Sequence, residues 1–280
     1  MALSIHTNYS ALVSQTSLNR TNKSLSINQQ RLGTGLRINS AADDAAGLQI
    51  ATRLNAQTRG MGVAIRNTGD ATSLLQTAEG AFNEITDIVQ RMKDLATQSA
   101  NDTNSSKDRT SIQAEFDQLA KEVENIFSNT TYAGDNLFTD SGKFSKAVNF
   151  QIGATAAENL TVDVSAEMAA LKTTLTDELK ALKLDDNTNS KASITALDST
   201  LDAIGSMRAN FGANINRLNH TANNLGNMKD NTDLARGRIL DADIALESAN
   251  AAKNGMLLQS GIAMLKQAGQ MPSMVMSLLG

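Results

Sequence analysis

Along the first part of the chain, apolar side chains return every seventh position: Ala11, Leu18, Leu25 and Leu32. Ile5, Tyr9 and Leu12 set out a second row beside them. A repeat of seven keeps one stripe on one side of a slightly underwound helix, so this stretch predicts a helix with a coiled-coil seam. It stops at Gly33-Thr34-Gly35. A second helix is expected from about Ala41. From Met61 its seam has one row of Met61, Thr68, Leu75, Phe82, Val89 and Ala96, and another of Ala64, Ala71, Ala78, Ile85 and Met92. Such a sustained alternation of three and four belongs to a long helix packed along others. The polar stretch "SANDTNSSKD" (99–108) interrupts it, and a shorter helix resumes through Ile112, Phe116, Leu119, Val123 and Ile126.

From Thr131 the period changes to two. Val148, Phe150 and Ile152 alternate, as do Leu160, Val162 and Val164, with "GATAAEN" between them, which predicts one β-hairpin. The stretch 169–184 reads as a short helix and "DDNTNS" as a loop. The third long helix carries Ile194, Leu201, Ile215 and Ala222 on one row and Leu197, Ile204, Phe211, Leu218 and Leu225 on the other, with Arg208 as a charged intrusion. The last helix has two adjacent rows: Leu257, Met264, Met271 and Leu278, then Leu258, Leu265, Pro272 and Leu279. Ile262, Ala268 and Val275 widen this face. A two-stranded seam needs a narrow stripe, so a face this wide implies more than one helical partner. The expected fold is mainly α: long antiparallel coiled-coil helices made by pairing the N- and C-terminal halves, with one small β-hairpin.

Composition narrows the picture. With 3% aromatics and no Trp, one large globule is disfavoured. The single proline, Pro272, leaves almost the whole chain open to helix. The net charge of −4 and the lack of a basic stripe speak against nucleic acid as a partner. There is no cysteine, hence no disulfide or thiolate metal site. Arg20 is the first basic residue, so no cleavable signal peptide is expected. No apolar run reaches the ~18 residues of a spanning helix, so membrane insertion is not expected.

The segment "RLGTGLRINSAADDAAGLQI" (31–50) mixes glycines, arginines and paired aspartates. A phosphate-binding loop would need a strand before it, and here a helix precedes. Gly33 stands where a left-handed C-cap glycine belongs. Ser40 and Asp43 match a capping box, and Asp43 and Asp44 would offset the dipole of the next helix. Gly33, Gly35, Ser40, Asp43 and Asp44 therefore read as a joint between two rods. Asp241 and Asp243 are too few carboxylates for calcium and read as another helix start. His6 and His220 lack zinc or nucleophile partners. No catalytic, cofactor or metal residue is assigned, and an enzyme is not expected.

The same segment, read as "TGLRINSAADDAAGLQIA" (34–51), resembles a hallmark run of bacterial flagellins. The stretch 236–280 resembles the flagellin C-terminus, with its R-I-x-D-x-D start and A-x-Q-x-P end. "QRMKDLATQSANDTNSS" (90–106) resembles a first-domain helix and loop of that family, and "LNHTANNLGNMKDN" (218–231) its returning helix. The resemblance implies a structural subunit of the extracellular flagellar filament, working in motility. It implies an inner channel-lining domain of 1–45 with 236–280. A helical rod domain of 46–165 with 190–235 follows, with its hairpin at about 146–165. A short insert, 166–189, stands in place of outer domains. This brevity resembles lateral-type flagellins.

Further expectations come with the resemblance. The subunit self-assembles as a helical homopolymer, with Leu18, Leu25, Leu32, Leu257, Leu258, Ile262, Met264, Leu265, Met271 and Leu278 as polymerisation residues. An export chaperone covers the C-terminal helix, the flagellar secretion apparatus exports the chain, and hook-associated and cap proteins meet the filament. An animal flagellin-sensing Toll-like receptor reads Gln90, Arg91, Leu95 and Glu115, with Lys93 and Asp94 standing where Arg and Glu are common. Two other readings stand beside this one: a hook–filament junction protein, and a membrane-surface coiled-coil protein.

Overall fold

A computed structural model describes residues 8–279, with side chains as far as residue 270. Ile5 and His6 lie outside the described residues, as do the side chains of Met271, Pro272, Val275, Leu278 and Leu279. The elements are α1 (Tyr9–Thr34), α2 (Ala45–Ser99), α3 (Ser106–Asn129), β1 (Thr131–Tyr132), β2 (Asp135–Asn136), β3 (Val148–Gln151), β4 (Asn159–Val162), α4 (Ser165–Thr173), a π turn (Thr174–Glu178), α5 (Leu179–Ala181), α6 (Asn187–Leu240) and α7 (Ile244–Leu279). The chain divides into two compact units, one of Gln57–Asp230 and one of Met1–Ala56 with Asn231–Gly280.

The unit of Gln57–Asp230 has a continuous core. Every member of the two rows expected along α2 is buried, from Met61 to Ala96. Thr68, the one polar member, donates its hydroxyl to the Ala64 carbonyl at 2.8 Å, so its burial leaves no donor unmatched. α3 contributes Ile112, Phe116, Ala120, Val123 and Phe127, and α6 contributes Leu197, Ile204, Met207, Phe211, Ile215 and Leu218. Of the two rows expected on α6, the Leu197–Leu225 row is buried, whereas Ile194, Leu201 and Ala222 are half-buried. The ion pair between Lys93 and Asp198 and the cluster of Met61, Ala64 and Leu225 fix α2 and α6 as antiparallel. α3 starts with a full capping box: the Ser105 hydroxyl accepts from the Asp108 N–H, and the Asp108 carboxylate accepts from the Ser105 N–H.

The expected hairpin is β3–β4, antiparallel, with Val148 opposite Val162 and Phe150 opposite Leu160 on the core side. A second, smaller hairpin joins β1 to β2. Its turn is Ala133-Gly134, with φ of 52° and 90°, the left-handed pair that matches strand twist in a two-residue loop. Two-residue strands are too short to show an alternating pattern, so periodicity could not reveal them. The segment 166–189 packs into the same core, with Met168, Leu171, Leu175, Leu179 and Leu184 buried. α6 also starts inside "DDNTNS", where the Asp186 side chain accepts from the Asn189 N–H at 2.7 Å.

In the other unit, α1 lies antiparallel to α7. Asn8 Nδ2 donates to the Ala268 carbonyl at one end, and Asn28 reaches Glu247 at the other. The less exposed positions of α1 include Ala11, Ser14, Leu18, Thr21, Leu25, Asn28 and Leu32, a complete three-four alternation, with Ser24, Ile27 and Arg31 half-buried on its flank. Those of α7 include Glu247, Ala251, Asn254, Leu258, Gly261, Leu265 and Ala268, the same alternation. Leu18 sits over Gly261, where an added Cβ would meet Leu18 Cδ1 at 2.9 Å. The second row of the α1 seam is therefore polar, Ser14, Thr21 and Asn28, and not the expected Tyr9 and Leu12, which are exposed.

Candidate assembly interface

The joint differs from its expected form. α1 runs through Gly33 to Thr34, and the left-handed C-cap is Gly35, at φ 72°, its N–H bonded to the Arg31 carbonyl. Gly33 is an ordinary helical residue because the helix gains another half turn before its last carbonyls need a cap. Ser40 and Asp43 do not cap α2. They close a separate turn in which Asp43 Oδ2 accepts from the N–H groups of Asn39 and Ser40 and from the Ser40 hydroxyl. These bonds hold the Asp43 carboxyl below its ordinary pKa, the Ser40 N–H first among them. Asp44 is the residue at the helix start, and its Oδ1 accepts from the Gly47 N–H. α2 consequently begins at Ala45 rather than near Ala41.

This connector is stitched to the end of α6. The Arg37 N–H donates to the Leu240 carbonyl at 2.6 Å and the Ala242 N–H to the Gly35 carbonyl at 2.9 Å. Leu36 and Asp241 form an isolated antiparallel bridge between them. Asp243 caps α7, accepting from the Ala245 and Leu246 N–H groups. The two aspartates of "DAD" thus serve a bridge and a cap, and among the described residues no cluster of His, Cys, Asp or Glu could hold a metal ion.

Eight of the ten expected polymerisation residues fall into two groups. Leu18, Leu25, Leu32, Leu258 and Leu265 are half-buried along the α1–α7 seam. Leu257, Ile262 and Met264 are exposed, Met264 at 61%, beside Met256 of the same helix. Met271 and Leu278 lie on α7 among residues whose side chains are not described. The double row of the sequence is thus divided: one row closes the intrachain seam and its neighbour is left uncovered. Tyr9, Leu12 and Val13 of α1 are also exposed. Among the described residues, the apolar side chains buried within this unit are few: Ile38, Ala51 and Ala268. No described helix is long and apolar enough to cross a membrane.

The seam contains one polar knot that periodicity did not reveal. Glu247, 6% exposed, accepts from Asn28 Nδ2 at 2.5 Å and from Arg31 at 2.9 Å. Asn254 Nδ2 donates to Asn28 Oδ1 at 2.9 Å. The Asn28 hydrogen bond first, then Arg31, holds the Glu247 carboxyl below its ordinary value of 4.5, against burial and the nearby Asp243. A lowered folded pKa gives stability that is fully present above the unfolded value and lost as pH falls through the folded one. The α1–α7 pair is therefore expected to loosen as pH drops below about 4.5. Far-ultraviolet circular dichroism of the free chain checks this, with Glu247→Gln flattening that part of the titration. An unchanged acid profile in the variant would place the sensitivity elsewhere.

In the other unit, Arg91 Nη2 meets Glu115 Oε1 at 2.7 Å, with side chains 54% and 49% exposed. Gln90 is exposed beside them. Leu95 is not on this surface: it is 1% exposed and belongs to the core, because it continues the inward face of α2 between Met92 and Ala96.

Comparison with known proteins agrees with this architecture. The family model for the bacterial flagellin N-terminal helical region matches residues 5–143, and that for the C-terminal helical region matches 194–279. A flagellin of Halalkalibacterium halodurans is 40% identical over 264 residues, covering 92% of this chain and 94% of that one. The flagellar filament 33 kDa core protein of Treponema phagedenis is 36% identical over 285 residues, covering 98% and 99%. The structure of a putative flagellar hook-associated protein from Vibrio parahaemolyticus has the same fold, with a TM-score of 0.58 over 71% of this chain and 100% of that one, at 16% identity. Paired terminal helices with an uncovered apolar row suit a subunit that finishes its packing on its neighbours. Both family models and near full-length relatives say the same: the chain belongs to the bacterial flagellins, structural subunits of the extracellular flagellar filament and not enzymes.

Proposed function

We propose that this flagellin polymerises through the apolar row that α7 leaves uncovered, Met256, Leu257, Ile262 and Met264, together with Tyr9, Leu12 and Val13 of α1. The observation that carries this is the division of the α7 double row: Leu258 and Leu265 are spent on α1, and the adjacent row has no cover among the described residues. Each such side chain contributes roughly 1.5–3 kcal/mol when removed from water. In a helical polymer that gain repeats in every subunit. A Met264→Asp subunit is expected to keep the helicity of the free chain and to elongate seeds at least ~10-fold more slowly, since a buried unpaired carboxylate is placed in every repeat. Electron microscopy of seeded growth checks this, and wild-type filament lengths would refute the assignment.

In this reading, 1–45 with 236–280 forms the channel-lining part of the filament and 46–165 with 190–235 the rod around it. Gly35, Asp43 and Asp44 build the joint between them. The export chaperone covers the α7 row before assembly, and the subunit leaves through the flagellar secretion apparatus. Hook-associated and cap proteins engage the same termini at the filament ends.

A second surface is supported by a separate observation. Arg91 and Glu115, 24 residues apart in sequence, meet as an exposed pair with Gln90 beside them. This is the patch that the animal flagellin-sensing Toll-like receptor reads, with Leu95 holding it in place from the core. The double variant Arg91→Ala, Glu115→Ala is expected to lower receptor-reporter activation at least ~10-fold at unchanged melting temperature, because exposed ion pairs contribute little to stability. Equal activation by variant and wild type would remove these residues from the receptor site.

A further inference from the structure

The chain contains one Asn-Gly step, Asn254-Gly255, and it falls in the polar knot of the α1–α7 seam. An asparagine followed by glycine is the sequence most prone to intramolecular deamidation, because no side chain obstructs the backbone nitrogen that attacks. We propose that Asn254 is a self-modification site whose conversion removes unassembled subunits from the polymerisable pool.

The chemistry needs only water. The Gly255 backbone nitrogen attacks Asn254 Cγ, a C–N bond forms, and the side-chain nitrogen leaves as ammonia, giving a five-membered succinimide. Water then opens either carbonyl, leaving aspartate or isoaspartate. No electron is transferred. Inside α7 this cannot proceed: the Gly255 N–H is engaged in the helical ladder, and helical dihedrals hold its nitrogen away from Cγ. The reaction therefore reads how often α7 opens. Opening is easy in a free subunit, where the unit around the seam buries few apolar side chains and leaves Leu257, Ile262 and Met264 in water.

The product disables the seam. Asn254 is the donor that satisfies Asn28 Oδ1, while Asn28 donates onward to Glu247 and Arg31 pairs with the same carboxylate. Aspartate at 254 turns that donor into an acceptor facing an acceptor. It also adds a second negative charge to a knot whose single cation, Arg31, is already engaged with Glu247. Isoaspartate adds a backbone atom and breaks the helical ladder as well. Closed helices thus protect the residue, and open ones lose the means to close.

The test uses the full chain, incubated at mildly alkaline pH as free subunit and as seeded polymer, with mass spectrometry of the peptide carrying Asn254. Conversion is expected to be an order of magnitude faster in the free chain than in the polymer. Gly255→Ala should slow it by an order of magnitude in the free chain, and it should fold normally because a Cβ at Gly255 meets nothing within 4 Å. Asn254→Asp should elongate seeds several-fold more slowly, whereas Asn254→Gln, which keeps the amide, should elongate better than the aspartate. Equal conversion in free and polymerised chains, no effect of Gly255→Ala, or wild-type growth of Asn254→Asp would each overturn the proposal. The inference rests on the α1–α7 seam being part of the assembly contact. If the wild-type chain made no polymer, that reading would fall, and the Gly255→Ala comparison in the free chain would still decide the chemistry.

Discussion

Removal of residues from Met256 onward is expected to abolish polymerisation while leaving the core of Gln57–Asp230 at full stability. No member of that core lies beyond Leu218, and the small cluster next to it ends at Leu225. The truncation takes away the uncovered row and also Leu258, Gly261, Leu265 and Ala268 of the seam, including the Gly261 surface under Leu18 and the Ala268 carbonyl that Asn8 donates to. What remains of α7 is a stub of about 12 residues holding Glu247 and Asn254, a length at which an isolated helix is marginal in water. α1 would keep its exposed Tyr9, Leu12 and Val13 but lose the surface that orders it. The expected result is a chain with less helix by circular dichroism, an unchanged main thermal transition and no filaments after seeding. Filaments of normal length from this truncation would refute the assembly reading altogether. Met264→Asp and the truncation are complementary: the first leaves the seam intact and blocks only its outer face, while the second removes both.

Much of this was legible because seven-residue periodicity reports burial directly in long helices. Both α2 rows and the inner α6 row were readable residue by residue, since nearly every member is apolar. The wide α7 face was equally visible as a demand for two partners. The misreadings share a physical cause: hydrophobicity was asked about positions where polar atoms or backbone decide. The second α1 row is Ser14, Thr21 and Asn28, so an apolar scan passes over it and selects Tyr9 and Leu12. Glu247 gives no signal in the pattern, because its partners lie more than 200 positions away. Gly33 and Gly35 are both chemically able to end α1, and the choice falls to the backbone bridge between Leu36 and Asp241. Leu95 carried the motif of a receptor contact, yet its place on α2 turns it inward. A scan for polar residues at seam positions, rather than for apolar ones, would have found the Asn28–Glu247 knot.

Phe138→Ala is expected to be the most damaging single substitution in the unit of Gln57–Asp230. The chain has only seven phenylalanines and no Trp, which argued against a large core, but six of the seven are buried. Phe138 is central to the cluster: its ring lies 4.9 Å from Phe82, 5.1 Å from Phe127 and 6.3 Å from Phe144. Phe211 of α6 closes the group, 5.9 Å from Phe82 and 5.2 Å from Phe144. Phe138 itself comes from the loop after β2, held by the Leu137 N–H on the Thr130 carbonyl and the Phe144 N–H on the Leu137 carbonyl. Rings from α2 and α3 and a second ring of the same loop, Phe144, therefore meet at Phe138, and Phe211 of α6 joins through Phe82 and Phe144. Truncation to alanine removes the ring and leaves a cavity that rigid helices cannot close, at a cost of about 3–5 kcal/mol. Against a total stability of roughly 5–15 kcal/mol, that is a large fraction. In a unit of this size it lowers the melting temperature by about 6–20 °C. Phe150→Ala, at a half-buried position on β3, is the internal comparison and should cost less than half as much. Differential scanning calorimetry of the two variants decides the matter. Equal shifts would mean that the aromatic cluster adds nothing beyond ordinary apolar burial. A shift confined to Phe138→Ala would identify a loop side chain as the keystone of a core that otherwise reads as helices alone.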